Sequence, residues 1–257
     1  MPSDAADPLS ALAAFYDLDL EGYDRDVAMY RELANRRVAD SSADVLELGC
    51  GTGRVAVPLA SSGLHVVGVD SSPAMLAVAR QRTGTLPLEL IEGDMREIDL
   101  ARRFDTVLIP LGGLQHMETA VDVAATLGAV ARHLASRGLA AVDVEAPHPD
   151  DLASGPQPLI EHWTRPWRGG SVTKLVAVEG QPSRGLRRVT WHFDVQPADG
   201  PLRRVTARFT LRAITAGELE LAARLAGLEV TAWYGDYDLS PVSDGDERLI
   251  AVLEPAA

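Results

Sequence analysis

The sequence predicts an α/β fold: a largely parallel sheet covered by helices on both faces, carrying an antiparallel β insert. Three observations carry this. Short apolar runs alternate with helix-period segments between residues 44 and 145. Three glycines, Gly49, Gly51 and Gly53, follow the first run directly. From residue 171 to 213 the apolar period changes to two.

In chain order, residues 21–39 read as a helix on the spacing of Val27, Tyr30, Leu33 and Ala34. DVLEL (44–48) is a short buried strand, and Arg54 to Ser62 a helix closed by Gly63. HVVGV (65–69) is the second strand. Ser72 then offers an N-cap and Pro73 a first helical residue for a helix to Arg82. Strands follow at 87–91 and 105–109, a long helix at 119–136, and a fifth strand at 138–145. Residues 147–170 are rich in Pro and Gly without strong periodicity. In RVTWHFDV (188–195) and RVTARFTL (204–211) alternate residues are apolar, and QPADGPL between them marks a hairpin. Thr215 and Glu218 form a capping box for a last helix, before strands at 228–234 and 247–253. The organisation expected is an N-terminal helical lid (1–40), a core (41–146 and 214–257) and the insert (147–213), a substrate cap or dimer contact.

The net charge of −13 disfavours a nucleic-acid partner, because an acidic surface repels phosphates. The single cysteine, Cys50, excludes an intrachain disulfide and any cysteine-based metal cluster. The first twenty residues do not read as a signal peptide, and no apolar run reaches the roughly 18–20 residues of a membrane span. A cytoplasmic protein acting on or binding a small molecule, with no resident metal and no membrane partner, is the expectation.

The glycine loop narrows the ligand. Glycines ahead of a helix let a ligand approach backbone N–H groups closely. A phosphate-binding loop needs Gly-Lys-Ser/Thr, which is absent. The dinucleotide pattern places its third glycine where Arg54 stands. Asp70 ends the second strand, where its carboxylate suits a ribose diol. Asp94 follows the third, where it suits an exocyclic amine. Open parallel sheets bind ligands at these carboxyl ends.

VLELGCGTGRV (45–55), VVGVDSSPAMLAVAR (66–80), IEGDMREI (91–98) and FDTVLIPLGGLQHM (104–117) together resemble the class I S-adenosylmethionine-dependent methyltransferases. The resemblance spans residues 10–145, with 214–257 fitting the end of the fold. It implies a Rossmann-like seven-stranded sheet of order 3-2-1-4-5-7-6 with the final strand reversed. It implies S-adenosylmethionine as cofactor, with Glu47, Gly49, Gly51 and Gly53 beside its methionine part and ribose. Asp70 would hold the ribose hydroxyls, Ser71 and Met75 would lie near the adenine, Asp94 would accept from the adenine amine, Met95 would flank the ring and Leu111 the sulfonium.

FYDLDLEGYDRDVAMYRELA (15–34) is similar to the lid of relatives that methylate amino sugars or glycine-like amines. By that similarity Arg31 would meet the methionine carboxylate and Tyr16 the reacting centre, with His116 near the acceptor as a general base. Gly112, Glu145, Tyr23 and Trp163 complete the substrate-side candidates, with Gly112 admitting substrate to the backbone and Glu145 holding an amine. The implied reaction is in-line transfer of methyl to nitrogen, or oxygen, of a small molecule. Two other readings stay open at this level: a relative that binds the cofactor without transferring methyl (a cyclase or assembly partner), and a NAD-dependent oxidoreductase. A homodimer through the insert is the partner expected besides the substrate.

Overall fold

A computed structural model describes residues 9–36, 43–148 and 153–256. Its core is one seven-stranded sheet. Five parallel strands come from β1 (Asp44–Leu48), β2 (His65–Asp70), β3 (Leu88–Glu92), β4 (Phe104–Ile109) and β5 (Leu134–Glu145). The last two strands, β11 (Leu228–Tyr234) and β12 (Arg248–Pro255), pair antiparallel, and β12 runs antiparallel against β5. The resulting order, β3-β2-β1-β4-β5-β12-β11, is the reversed-end arrangement expected.

Helices α3 (Ala56–Ser61), α4 (Pro73–Thr83), α5 (Ala120–His133) and α6 (Ala216–Leu225) link the strands. The starts of the last three follow the residues that cap them: Ser72, Thr119 and Thr215 each accept a backbone N–H three residues on. Leu46, Leu48, Val107, Ile109, Ala140, Val142 and Val144 are fully buried, as strands covered on both faces require.

The N-terminal segment differs from the single helix expected over 21–39. A short α1 (Tyr16–Asp19) precedes it and α2 (Arg25–Asn35) starts four residues late, after Gly22 takes a left-handed φ of 78°; the expected end at 37–39 lies outside the described residues. Helix α5 stops at His133, three residues early. Leu134 is already extended and buried, and Gly138 passes so close to the Asp105 carbonyl that a Cβ would lie 2.9 Å from it. The chain therefore enters β5 at once.

The insert contains β6 (Gly155–Pro156), β7 (Ile160–Trp167), β8 (Gly170–Gln181), β9 (Leu186–Gln196) and β10 (Arg203–Arg212) in an antiparallel sheet. Strand β7 lies inside the stretch read as aperiodic. Its register puts Trp163 beside Lys174, and its apolar alternation is broken by Arg165, which stacks on Trp163 at 4.9 Å. The inner face of the sheet, with Val172, Phe193, Val195 and Ala207 buried, closes over Leu12, Phe15 and Met75. The lid segment is thus sandwiched between insert and core. No helix among the described residues is long and apolar enough to cross a membrane.

Candidate active site

The carboxyl ends of β1, β2 and β4 meet the lid at one cleft. Gly49, Gly51 and Gly53 have φ of 77°, 55° and 78°, a region side chains resist. Space reinforces the choice. A Cβ on Gly49 would crowd Met95 Cε at 3.2 Å and one on Gly53 would crowd Val57 Cγ2 at 3.1 Å, whereas one on Gly51 would make only ordinary contact with Tyr16 Cε1 at 3.9 Å. The loop is therefore a cradle floored by backbone and walled by Met95 and Tyr16. Asp70 braces it: Gly51 N–H donates to Asp70 Oδ2 and Ser72 N–H to Oδ1, both at 2.8 Å.

Glu47, inside β1, is 2% exposed, and its Oε2 has no hydrogen-bond partner. Burial pushes its pKa up to about 8, against the opposing pull of Arg54. Arg54, next to the loop, donates to both oxygens of fully buried Asp26 (2.9 and 2.5 Å) and to the Tyr23 carbonyl (3.1 Å), while its Nε stays unpaired. Tyr16 lies against Arg54 and Glu47, and burial pushes its hydroxyl up to about 12. A buried acceptor and a buried donor without partners thus stand together beside the loop.

Asp94 is held by Arg96, which donates to both its oxygens and reaches Asp122 at 2.9 Å. That hydrogen bonding draws the Asp94 pKa down, keeping it an ionised acceptor. Ser71 is exposed at the cleft edge, whereas Met75 is buried under the lid against the insert's aromatic cluster.

On the acceptor side, His116 ends a 3-10 turn (Gly113–His116), its ring 5.5 Å from that of Phe209, which meets Trp191 edge-on at 4.9 Å. The His116 side chain is exposed at the surface, and partial desolvation of the ring nitrogens by neighbouring groups draws its pKa down to about 4. Gly112 is left-handed and would strike Gln115 Oε1 with a Cβ.

Three of the expected residues lie exposed or are already bonded elsewhere in the structure. Arg31 is exposed on α2, because the inward face is set by Asp26, Met29, Tyr30, Leu33 and Ala34; the guanidinium at the loop is that of Arg54. Glu145 is closed on Arg187 of the insert, so its charge is already matched. Trp163 does not face the cleft as a free wall: its indole N–H donates to Asp19 at 2.7 Å, pinning insert to lid. Tyr23 is half-buried, donating to Tyr237 at 3.0 Å under the Arg54 guanidinium.

Sequence reasoning passes over four other groups. Asp17 takes bonds from Thr52 and Arg82. Asp19 also receives Lys174, a nearly buried lysine 3.5 Å above the Trp191 ring. Phe209 flanks His116, with Trp191 edge-on behind it. Asp143, fully buried in β5, gathers Tyr30, Tyr237, Arg248 and the Leu111 N–H. An Asp inside the apolar run GLAAVDVE is the visible signal for that last group. Among the described residues no three His, Cys, Asp or Glu side chains are grouped to hold a metal; Asp150 and Asp151, near His148, lie outside those residues. A groove of about 530 Å³ lined by Arg103, Leu134, Gly227 and Pro255 opens at the opposite edge of the sheet. Parallel sheets bind at the carboxyl edge, so the glycine-loop end is the candidate site.

Comparisons with known proteins agree with this geometry. Residues 45–138 match the family profile described as a methyltransferase domain. The chain is 32% identical over 212 residues to a cypemycin N-terminal methyltransferase from a Streptomyces species, covering 82% of each. It is 29% identical to dTDP-3-amino-3,6-dideoxy-alpha-D-glucopyranose N,N-dimethyltransferase of Streptomyces fradiae, over 88% of this chain and 86% of that one. The crystal structure of an S-adenosylmethionine-dependent methyltransferase from Clostridium acetobutylicum superposes with a TM-score of 0.80 at 19% identity, over 96% of this chain and 98% of that one.

Proposed function

Because the chain belongs to the class I S-adenosylmethionine-dependent methyltransferases, we propose that it methylates an amine nitrogen of a small-molecule acceptor that docks against the contiguous His116–Phe209–Trp191 cluster. The cofactor fits the residues present. The three left-handed glycines leave the loop backbone bare of side chains, with a Cβ on Gly49 crowding Met95, and the unpaired Glu47 Oε2 and Arg54 Nε offer an acceptor and a donor beside it. These complement the amino and carboxylate ends of a methionine. Asp70 would hold the ribose, Asp94 and Met95 the adenine, and Leu111 would flank the sulfonium. The bound cofactor supplies a methyl group already activated for displacement.

One observation carries the choice of nitrogen: neither ionisable group at the acceptor side is a strong base. His116 is held near 4 and Tyr16 near 12, so both are neutral at neutral pH. An alcohol needs a base to develop nucleophilicity, and a base this weak gives little. An amine carries its own lone pair once it has lost a proton to water, and a desolvated cleft favours that neutral form. Neutral His116 then accepts an N–H of the acceptor and aims the lone pair, while lid and insert exclude water. The relatives named for N-terminal and amino-sugar methylation support the same reading. The test is a panel of methyl acceptors with methyl-labelled cofactor, pairing each amine with its hydroxyl isostere. Label in amines alone is expected; equal labelling of the hydroxyl partners refutes it.

A homodimer through the outer face of the insert is part of the same proposal, and sedimentation of the full chain decides it.

A further inference from the structure

The most heavily bonded side chain at the methyl-transfer edge is Asp143, a residue with no exposure and no role in the reading above. Its Oδ2 accepts from Tyr30 Oη at 2.9 Å, Tyr237 Oη at 3.0 Å and the Leu111 N–H at 3.1 Å. Its Oδ1 accepts from Arg248 Nε and Nη2 at 2.7 and 2.5 Å. The Gly112 N–H donates to the Asp143 carbonyl at 2.8 Å. Leu111 has a φ of 46°, uncommon for a residue with a side chain, and strain of this kind persists only where surrounding bonds over-determine it. The turn is closed locally by the Gly113 N–H on the Pro110 carbonyl at 2.9 Å, and the bonds that tie it to the rest of the fold through Leu111 and Gly112 N–H both end on Asp143.

The donors come from separate parts of the fold. Tyr30 belongs to lid helix α2, Tyr237 to the β11–β12 connection and Arg248 to β12, while Tyr23 donates on to Tyr237. We propose that Asp143 is a positioning residue for methyl transfer: it fixes the Leu111–Gly112 turn and keeps the Arg248 charge neutralised beside it. The inference rests on the placement of Leu111 beside the sulfonium proposed above. A turn held in this way presents fixed backbone dipoles to a cation and makes no contact that a neutral thioether needs, so the cluster distinguishes the two.

The test compares binding of S-adenosylmethionine and S-adenosylhomocysteine by titration calorimetry in the full chain. In Asp143→Asn the turn loosens and Arg248 is left unmatched, and both effects oppose a sulfonium. S-adenosylmethionine should weaken about tenfold relative to S-adenosylhomocysteine, the scale of one added charge near a partly buried cation. Equal weakening of both ligands, or no change, is what a merely structural role gives and overturns the inference. If Asp143→Asn does not fold, Asp143→Leu combined with Arg248→Met removes the anchor without stranding a charge. The same selective loss, about threefold, is expected there, and parallel losses overturn the inference. A wild-type chain that binds neither ligand would sink the cofactor site itself. Wild-type binding that Asp70→Ala abolishes, with the ratio unmoved in both Asp143 variants, would sink only this inference.

Discussion

Replacing Glu47 by Gln should stabilise the free protein at neutral pH while impairing the cofactor site. Glu47 is almost fully buried with one unpaired oxygen, and its pKa is raised from 4.5 to about 8 by that burial. Between those values the folded chain holds a proton that the unfolded chain has released. Stability therefore falls as pH rises through this window, at about 1.36 kcal/mol per pH unit. The loss reaches about 3 kcal/mol at pH 7 and has a ceiling of about 5 kcal/mol above pH 8. Gln carries no titrating proton and escapes it. Its amide N–H₂ beside Arg54 costs about 1 kcal/mol as an unsatisfied donor. The variant should thus be slightly less stable than wild type near pH 5 and more stable by about 2 kcal/mol at pH 7. Urea unfolding of both proteins without cofactor, from pH 5 to 8, measures the difference directly. A constant difference across that range would mean that Glu47 ionises as an ordinary carboxyl and would refute the reasoning. With cofactor the order should reverse, because the methionine ammonium would donate to the Glu47 oxygen that has no partner. Saturating S-adenosylmethionine should then raise the wild-type Tm by more than that of Glu47→Gln.

Asp70→Ala removes the acceptor that braces Gly51 and Ser72, and should weaken S-adenosylhomocysteine binding at least tenfold by calorimetry; an unchanged Kd would refute the ribose assignment. Asp19→Ala strands nearly buried Lys174, and should cost about 3–5 kcal/mol in urea unfolding; a loss under about 1 kcal/mol would show that the lid is not stapled there. His116→Ala removes the group that orients the acceptor and should lower turnover about 10²-fold with cofactor affinity within twofold; a wild-type rate would remove His116 from the acceptor site.

The core is legible in the sequence because its signals are local. A strand, a glycine triplet and two strand-end carboxylates lie within about fifty residues, and a parallel sheet brings successive strand ends together by construction. The capping residues Ser72 and Thr215 are legible for the same reason. The contacts that close the cleft are not. Asp19 meets Lys174 from 155 residues away, and Tyr30 meets Asp143 from 113. No spacing rule reaches that far. Resemblance favours Arg31 as the carboxylate partner, yet one step along α2 turns a side chain about 100° away from the face that Tyr30 buries. Strand β7 is hidden by charge within its apolar row, where Arg165 lies on Trp163 and donates to the Leu18 carbonyl, a pairing visible only once lid and insert are docked.

The acidic composition invites the idea that the cleft attracts a cationic acceptor by charge, and the pairings argue otherwise. Asp17 is closed on Arg82, Asp19 on Lys174, Asp26 on Arg54, Asp94 on Arg96, Asp143 on Arg248 and Glu145 on Arg187. The pairs of Asp17, Asp19, Asp26 and Glu145 join lid, insert and core, those of Asp94 and Asp143 are internal to the core, and each acid is matched before any acceptor arrives. The acceptor side proposed above carries a neutral imidazole and two aromatic rings. Recognition should therefore depend on shape and apolar contact more than on long-range attraction. Raising ionic strength from about 0.01 to 0.15 M shortens the screening length from about 30 to 8 Å, which would sharply weaken capture by unpaired charge. The acceptor's KM should change less than about twofold across that range, measured at saturating cofactor. A rise of about tenfold would show that unmatched acidic charge steers the acceptor, and would remove the argument that the amine is chosen for its lone pair.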